Sequence, residues 1–262
     1  MIISHKYQFL FIGLPFSASS AISKDLHLNY EGRPFLRKHS LYHDFISLAT
    51  QEQRKYFTFA VLRNPMDIAI TVYEKMRANS KGNFTNPDLF IENGGHITKK
   101  QRDVFKFITE KNATFQQYFR RFYKKPYDNF ASITIQHCDY VIRYENIDED
   151  YLTALIKTGI KKPKPLPIAN QTVGKKKNLL DYYTDEIKDQ AIFVFAPFLS
   201  KHNYSFPQEW GRIQLSLQSK IQFQILGFCR NLNHRYLKKR PKKISKEGSV
   251  YGDMQRKKLQ QD

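Results

Sequence analysis

Two short segments of the chain bring together residue types that bind anions. The first is Pro15-Phe16-Ser17-Ala18-Ser19-Ser20-Ala21, between an apolar run and a helical pattern. Small side chains let a phosphate approach the backbone, and a helix N-terminus offers unpaired N–H groups and a positive dipole end. Ser17, Ser19 and Ser20 add hydroxyls. The plainer reading is a serine-rich turn that caps a helix. It is not a Walker A loop, because no G-x-x-x-x-G-K-[ST] is present. The second segment is Arg63-Asn64-Pro65-Met66-Asp67, with Thr71 eight residues beyond the arginine. A planar guanidinium pairs with phosphate bidentately, and a hydroxyl one or two helical turns on can hold the same group from a second side. The alternative is that Arg63 pairs with Asp67 and merely fixes the turn.

These segments need elements to position them. Tyr7–Leu14 is a continuous apolar run ending at Pro15, which reads as a buried strand, and Ala21–Leu28 follows as a helix. Tyr56–Leu62 is a second buried strand, stopped by Arg63-Asn64-Pro65. Pro65 suits a first helical position, and the apolar spacing of Met66–Met76 continues as a helix. Residues 77–102 read as an irregular insertion, Val104–Tyr123 as one helix with an aromatic core stripe, and Tyr140–Arg143 as a third strand. Asp148–Thr158 and Asp185–Leu199 read as helices, with a basic, proline-rich loop at Lys161–Pro167. Ile213–Ile225 fits strand and helix periodicity alike, with the balance toward helix. Alternating strands and helices predict an α/β fold, a parallel sheet flanked by helices on both faces. Ligands of such sheets sit at the carboxyl ends of the strands, where both loops would open on one edge.

Composition narrows the function classes. A chain of 262 residues with 15% aromatic residues can build a real core, which excludes disorder for the chain as a whole. Two cysteines, Cys138 and Cys229, exclude a disulfide scaffold and a cysteine-rich zinc site, and no metal is expected. No apolar run approaches the roughly 18–20 residues of a spanning helix. Lys6, the apolar stretch after it and the small residues of 17–21 imitate a signal peptide, but the single charge and Pro15 weaken the pattern. The expected location is the cytoplasm, with secretion or a membrane surface as alternatives. The net charge of +19 points to anionic partners. Residues 211–262 hold 13 basic and 3 acidic residues, so this stretch carries +10 of the +19. We therefore read residues 1–210 as one domain and 211–262 as a basic extension, with Lys238–Asp262 an unstructured arm.

The two loops together resemble the sulfotransferase family. Phe11 to Ile22 is similar to its 5′-phosphosulfate loop, typically FIxxPKTAGTSI or PKSGTT. Phe57 to Tyr73 is similar to its 3′-phosphate motif, FxFVRNPxDRxxSxY. Arg37-Lys38-His39-Ser40 resembles the KHxS segment of carbohydrate sulfotransferases, and Asp139 to Ile147 the later FVIRxENL strand. Asn170-Gln171-Thr172, Tyr182-Tyr183 and Asn203 to Phe206 resemble the closing segment. The likeness is ordered over residues 7–210, and RNPxD is its specific part. It implies a fold related to the P-loop kinases and the sulfuryl donor 3′-phosphoadenosine 5′-phosphosulfate. By position, Phe16, Ser17, Ala18, Ser19, Ser20 and Ala21 would surround the 5′-phosphosulfate, and Arg63 and Thr71 would bind the 3′-phosphate. The sulfuryl group would pass to a hydroxyl or amine of a carbohydrate-like acceptor.

His39 is the candidate base, with Glu74 and Glu145 behind it. The family's loop lysine is Phe16 here, so another cation must substitute, Lys38 or Lys24 being nearest in sequence, or transfer is lost and binding remains. The loop glycine is replaced as well, by Ala18 or Ser19. Two other classes stay open: an inactive nucleotide-binding relative, and a protein whose basic tail engages nucleic acid or another anionic surface.

Overall fold

The computed structural model describes residues 1–167, 172–176 and 178–237. The chain divides into two compact units that interleave along the sequence, with borders at 63/64, 128/129, 170/171 and 226/227. The boundary expected at 210/211 is not among them. Lys238–Asp262, expected as an unstructured arm, lies outside the described residues.

The first unit is built on a five-stranded sheet. Its strands are β1 (Ile2–Ser4), β2 (Phe9–Ile12), β3 (Arg33–Pro34), β4 (Phe57–Leu62) and β5 (Tyr140–Arg143), in the order β3-β1-β2-β4-β5. β2, β4 and β5 pair in parallel, with Phe11 opposite Phe59 and Phe59 opposite Tyr140. The three strands foreseen from apolar runs are these three. The sheet as a whole is mixed rather than parallel, because β1 forms an antiparallel hairpin with β2 and β3 pairs antiparallel with β1.

Four residues of β2 and five of β4 are buried, which is why these strands read as unbroken apolar runs rather than alternating ones. Phe9 and Phe11 on β2, Phe59 and Val61 on β4 and Ile142 on β5 share one face. Helices α1 (Ser19–Asn29) and α7 (Ile147–Lys157) cover that face with Ile22, Leu26, Tyr151, Ala154 and Leu155. Burying each of these large side chains contributes about 1.5–3 kcal/mol. A buried polar link ties the two helices together. The Tyr151 hydroxyl donates to the Asp25 carboxylate at 2.6 Å, and Asn29 donates to its other oxygen at 2.7 Å. Burial and the carboxylate push the Tyr151 phenol far above its usual range, so it remains a donor. Two shorter helices, α2 (Tyr42–Ile46) and α6 (Ala131–Thr134), complete this unit apart from the ninth helix.

The second unit is helical: α3 (Pro65–Arg77), α4 (Lys99–Glu110), α5 (Phe115–Phe122) and α8 (Asp185–Lys201). Its core is aromatic, with Tyr73, Phe115, Tyr118, Phe119, Tyr183, Phe195 and Trp210 all buried. The single helix expected over 104–123 is two helices. The first ends at its C-cap Lys111, with Asn112 next in left-handed backbone at φ 43°; Thr114 starts the second through a capping box with Gln117, and Thr98 with Gln101 opens α4 in the same way. The irregular insertion expected over 77–102 is shorter: three 3-10 turns lie between Ser80 and Asn93, Arg77 still belongs to α3, and residues 99–102 are the first turn of α4. The border at 226/227 falls within α9 (Leu217–Leu232), so the ambiguous stretch after Ile213 is helical from Leu217.

Replacing Tyr151 by Phe leaves a buried carboxylate oxygen without its donor. The expected cost is about 1–3 kcal/mol in urea unfolding, with the far-UV spectrum retained. Unchanged stability would show that the Tyr151–Asp25 link does not hold α7 to α1.

Candidate anion-binding site

The parallel pairing of β2 with β4 ends both strands on one edge of the sheet, and the two loops of interest leave from that edge. The first loop turns at Pro15–Ala18 and enters α1 at Ser19. Phe16 and Ala18 both have left-handed backbone, at φ 61° and 52°. Ala18 is the N-cap residue of α1 in this conformation. An alanine therefore stands where the backbone has the shape glycine takes most easily. Gly13 explains the tightness on the strand side. A Cβ there would lie 3.0 Å from the Ser19 Cβ and 3.2 Å from the Lys38 carbonyl oxygen.

The three serines differ in what they offer. The Ser17 hydroxyl is buried and donates to the Leu14 carbonyl at 2.7 Å, so its proton braces the turn. Ser19 is buried at the first helical position. Ser20 is half-buried and accepts a hydrogen bond from the Lys38 ammonium at 2.6 Å. Ala21 is half-buried in the first turn of the helix. Phe16 is 39% exposed and brings no donor. Among the described residues no side chain caps the N-terminus of α1, and its first turn has no acidic residue. The turn's N–H groups and dipole therefore keep their positive potential.

Two cations converge on this loop. Lys38 reaches it through Ser20, 18 residues away in sequence, while Lys24 points out from α1 and is exposed. Arg63 follows directly on β4 and is 6% exposed. Its Nη1 donates to the Phe16 carbonyl at 2.6 Å, and its guanidinium lies 3.9 Å from the centre of the Tyr144 ring. The guanidinium thus contacts a carbonyl oxygen and the face of a ring. Next to Lys38, His39 Nδ1 lies 2.7 Å from the Gly13 carbonyl. A carbonyl can only accept, so Nδ1 carries the proton and, in the neutral ring, Nε2 has the lone pair.

Phe16–Ala21, Lys38, His39 and Arg63 thus meet in the first unit. Thr71 is 1% exposed on α3, in the second unit. Glu74, one of the weaker base candidates, is corrected by its partners. Its two carboxylate oxygens accept from Arg77 at 2.8 Å and from the Tyr182 hydroxyl at 2.7 Å, so it is a buried brace. Burial, with help from Glu74, pushes the Tyr182 phenol up to about 12. Glu145 is exposed in the turn that follows β5. Asn64 and Pro65 of the arginine motif have a local task, since the Asn64 side chain accepts from the Met66 N–H at 2.9 Å and caps α3. Asp67 takes Lys175 as its ion-pair partner. Tyr144 was not singled out from the sequence. Its only signal was its place directly after the third strand.

Comparison with models of protein families, with curated proteins and with solved structures finds no match. Among the described residues no group of His, Cys, Asp and Glu is arranged to hold a metal ion.

Three substitutions test the loop geometry. Ala18→Val puts a β-branched side chain in left-handed backbone and should cost about 1–2 kcal/mol, whereas Ala18→Gly should cost nothing or stabilise. Gly13→Val, forced against Ser19 and the Lys38 carbonyl, should cost about 1–3 kcal/mol. Thermal melts of the three variants check the ranking, and equal melts for Gly and Val at position 18 would contradict it.

Proposed function

We propose that this protein is a sulfotransferase that takes the sulfuryl group from 3′-phosphoadenosine 5′-phosphosulfate to a hydroxyl or amine of a carbohydrate-like acceptor. The observation that carries the reading is the joining of the two motifs. Arg63, from the motif that resembles the 3′-phosphate site, is hydrogen-bonded to the backbone of the loop that resembles the 5′-phosphosulfate site. On this reading the sheet and its two strand–loop–helix units are a variant of the sulfotransferase fold, with a β1–β2 hairpin added at one side.

The residues present suit such a donor. The N-terminus of α1 lacks a side-chain cap and an acidic first turn, and Lys38 and Arg63 supply two positive charges beside it. The bound donor supplies an activated sulfuryl group on a phosphate leaving group. Ser19, Ser20 and the N–H groups of the first turn hold the phosphosulfate, and Arg63 holds the 3′-phosphate, with Thr71 assigned to it by the resemblance alone. His39 Nε2 takes the acceptor's proton as the acceptor oxygen or nitrogen bonds to sulfur. Lys38 stands in for the lysine that Phe16 replaces, stabilising the negative charge that develops on the bridging oxygen as its bond to sulfur breaks. Positioning and charge stabilisation then do most of the work, as in phosphoryl transfer.

Phe16 favours a second reading, a protein that binds the nucleotide without transferring sulfate. It is exposed at the loop and offers neither charge nor donor. Transfer of labelled sulfuryl to a panel of amino sugars and glycans separates the two. Under the first reading wild type turns over, Lys38→Ala lowers kcat by about 10²–10³, and His39→Ala by about 10²–10⁴. No turnover in wild type, together with turnover gained by Phe16→Lys, would establish the second reading. Turnover unaffected by Lys38→Ala would remove that lysine from the mechanism.

A further inference from the structure

Helix α9 buries one side, and among the described residues its opposite, apolar side is exposed. Inward, Ser219 and Phe223 are buried. The Ser219 hydroxyl donates to the Phe193 carbonyl at 2.5 Å, and the Lys201 ammonium sits 5.7 Å from the Phe223 ring centre. Outward, Leu217, Ile221, Ile225, Phe228 and Leu232 are all exposed, with Leu217 at 71% and Phe228 at 65%. At about 100° per residue these five fall within roughly 80° of arc, so they form one unbroken stripe along more than four turns. Tyr236 and Leu237, in the π-helical turn that follows, are exposed too. Isolated exposed apolar residues are ordinary, but a contiguous stripe of this length marks a surface that meets something apolar.

Charge says what that something is. From Gly211 to Lys246 the sequence has ten Lys and Arg residues and no Asp or Glu. Lys220 and Arg235 are exposed on or beside the helix, and Lys238, Lys239, Arg240, Lys242 and Lys243 come next in the sequence. A second copy of the chain would set this stretch against an equally basic one, which like-charge repulsion opposes. Nucleic acid would answer the charge and leave the apolar stripe with nothing to bury. An anionic bilayer surface answers both: the acyl boundary takes the stripe, and acidic headgroups take the lysines and arginines. Among the described residues no helix is long and apolar enough to cross a membrane, so the contact is in the interfacial plane.

We propose that α9 docks this protein on an anionic membrane surface, through the stripe from Leu217 to Leu232. This goes beyond the proposed transfer reaction and does not depend on it. Full-length protein is spun with vesicles of phosphatidylcholine alone, or with about 30% phosphatidylserine. Binding to the anionic vesicles should exceed binding to the neutral ones by about tenfold or more, and should weaken at high salt. Ile225 and Phe228 are exposed, so Ile225→Glu/Phe228→Glu should keep the wild-type melting curve and lose binding by about tenfold or more. In a Phe228→Trp variant the added indole should shift to the blue and resist an aqueous quencher only when anionic vesicles are present. Absence of binding to anionic vesicles would overturn the proposal. So would binding unchanged by the double substitution, which would credit the charge alone. Concentration-dependent self-association abolished by that substitution, without vesicle binding, would assign the stripe to a second copy. Binding to an acidic protein in place of vesicles would equally refute it.

Discussion

The parallel register of β2 against β4 is the constraint on which the rest of the first unit depends. Because Phe9 to Ile12 pair with Phe57 to Ala60 in the same direction, the chain leaves both strands at the same edge. A slip or reversal would send Arg63 and the Phe16 turn to different places. The register is held by burial: Phe9 and Phe11 share a face with Phe59, at ring separations of 5.7 and 5.3 Å. The hydrogen bond from Arg63 to the Phe16 carbonyl then joins the two loops, and Tyr144, just beyond the neighbouring strand β5, closes over the guanidinium.

The electrostatics of the edge come from residues far apart in sequence. Arg63 arrives at the end of a strand, Lys38 from the polar segment after α1, and the helix N-terminus adds its own partial charge. Like charges brought together repel, and on the proposed reading a bound anion offsets that repulsion. The turn is strained in the same spirit. Two non-glycine residues, Phe16 and Ala18, hold left-handed backbone around a serine whose hydroxyl is spent on the turn itself. Strain of this kind persists only where the surroundings enforce it. Here Gly13, pressed between Ser19 and the Lys38 carbonyl, is part of that enforcement.

Much of this was legible in the sequence, for a definite reason. β2, β4 and β5 are short apolar runs, and the helices that follow β2 and β4 begin at Ser19 and Pro65, close to where loop and proline signals put them. β1 and β3 were not legible. They have three and two residues, too few to show a period; β1 forms on the edge of β2, and β3 on the edge of β1. The break between α4 and α5 was written in the Thr114–Gln117 capping box, yet the aromatic stripe on either side masked it. At the site, Arg63 and the serine loop could be named from spacing. The Lys38–Ser20 bond, the Tyr144 stack and the tautomer of His39 depend on chain segments meeting in space. Glu74 shows the converse. Its sequence position suggested a base, and only its burial between Arg77 and Tyr182 reveals a brace.

The central claim is that the edge where β2 and β4 end reads a nucleotide carrying a 3′-phosphate, with Arg63 as the group that reads it. Calorimetric titration of the full chain with adenosine 3′,5′-bisphosphate, beside adenosine 5′-monophosphate and an Arg63→Ala control, tests this most directly. The account predicts micromolar binding of the bisphosphate, a preference of about tenfold or more over the monophosphate, and loss of that preference in the variant. Equal affinity for the two nucleotides, or a preference that survives the loss of Arg63, would contradict it.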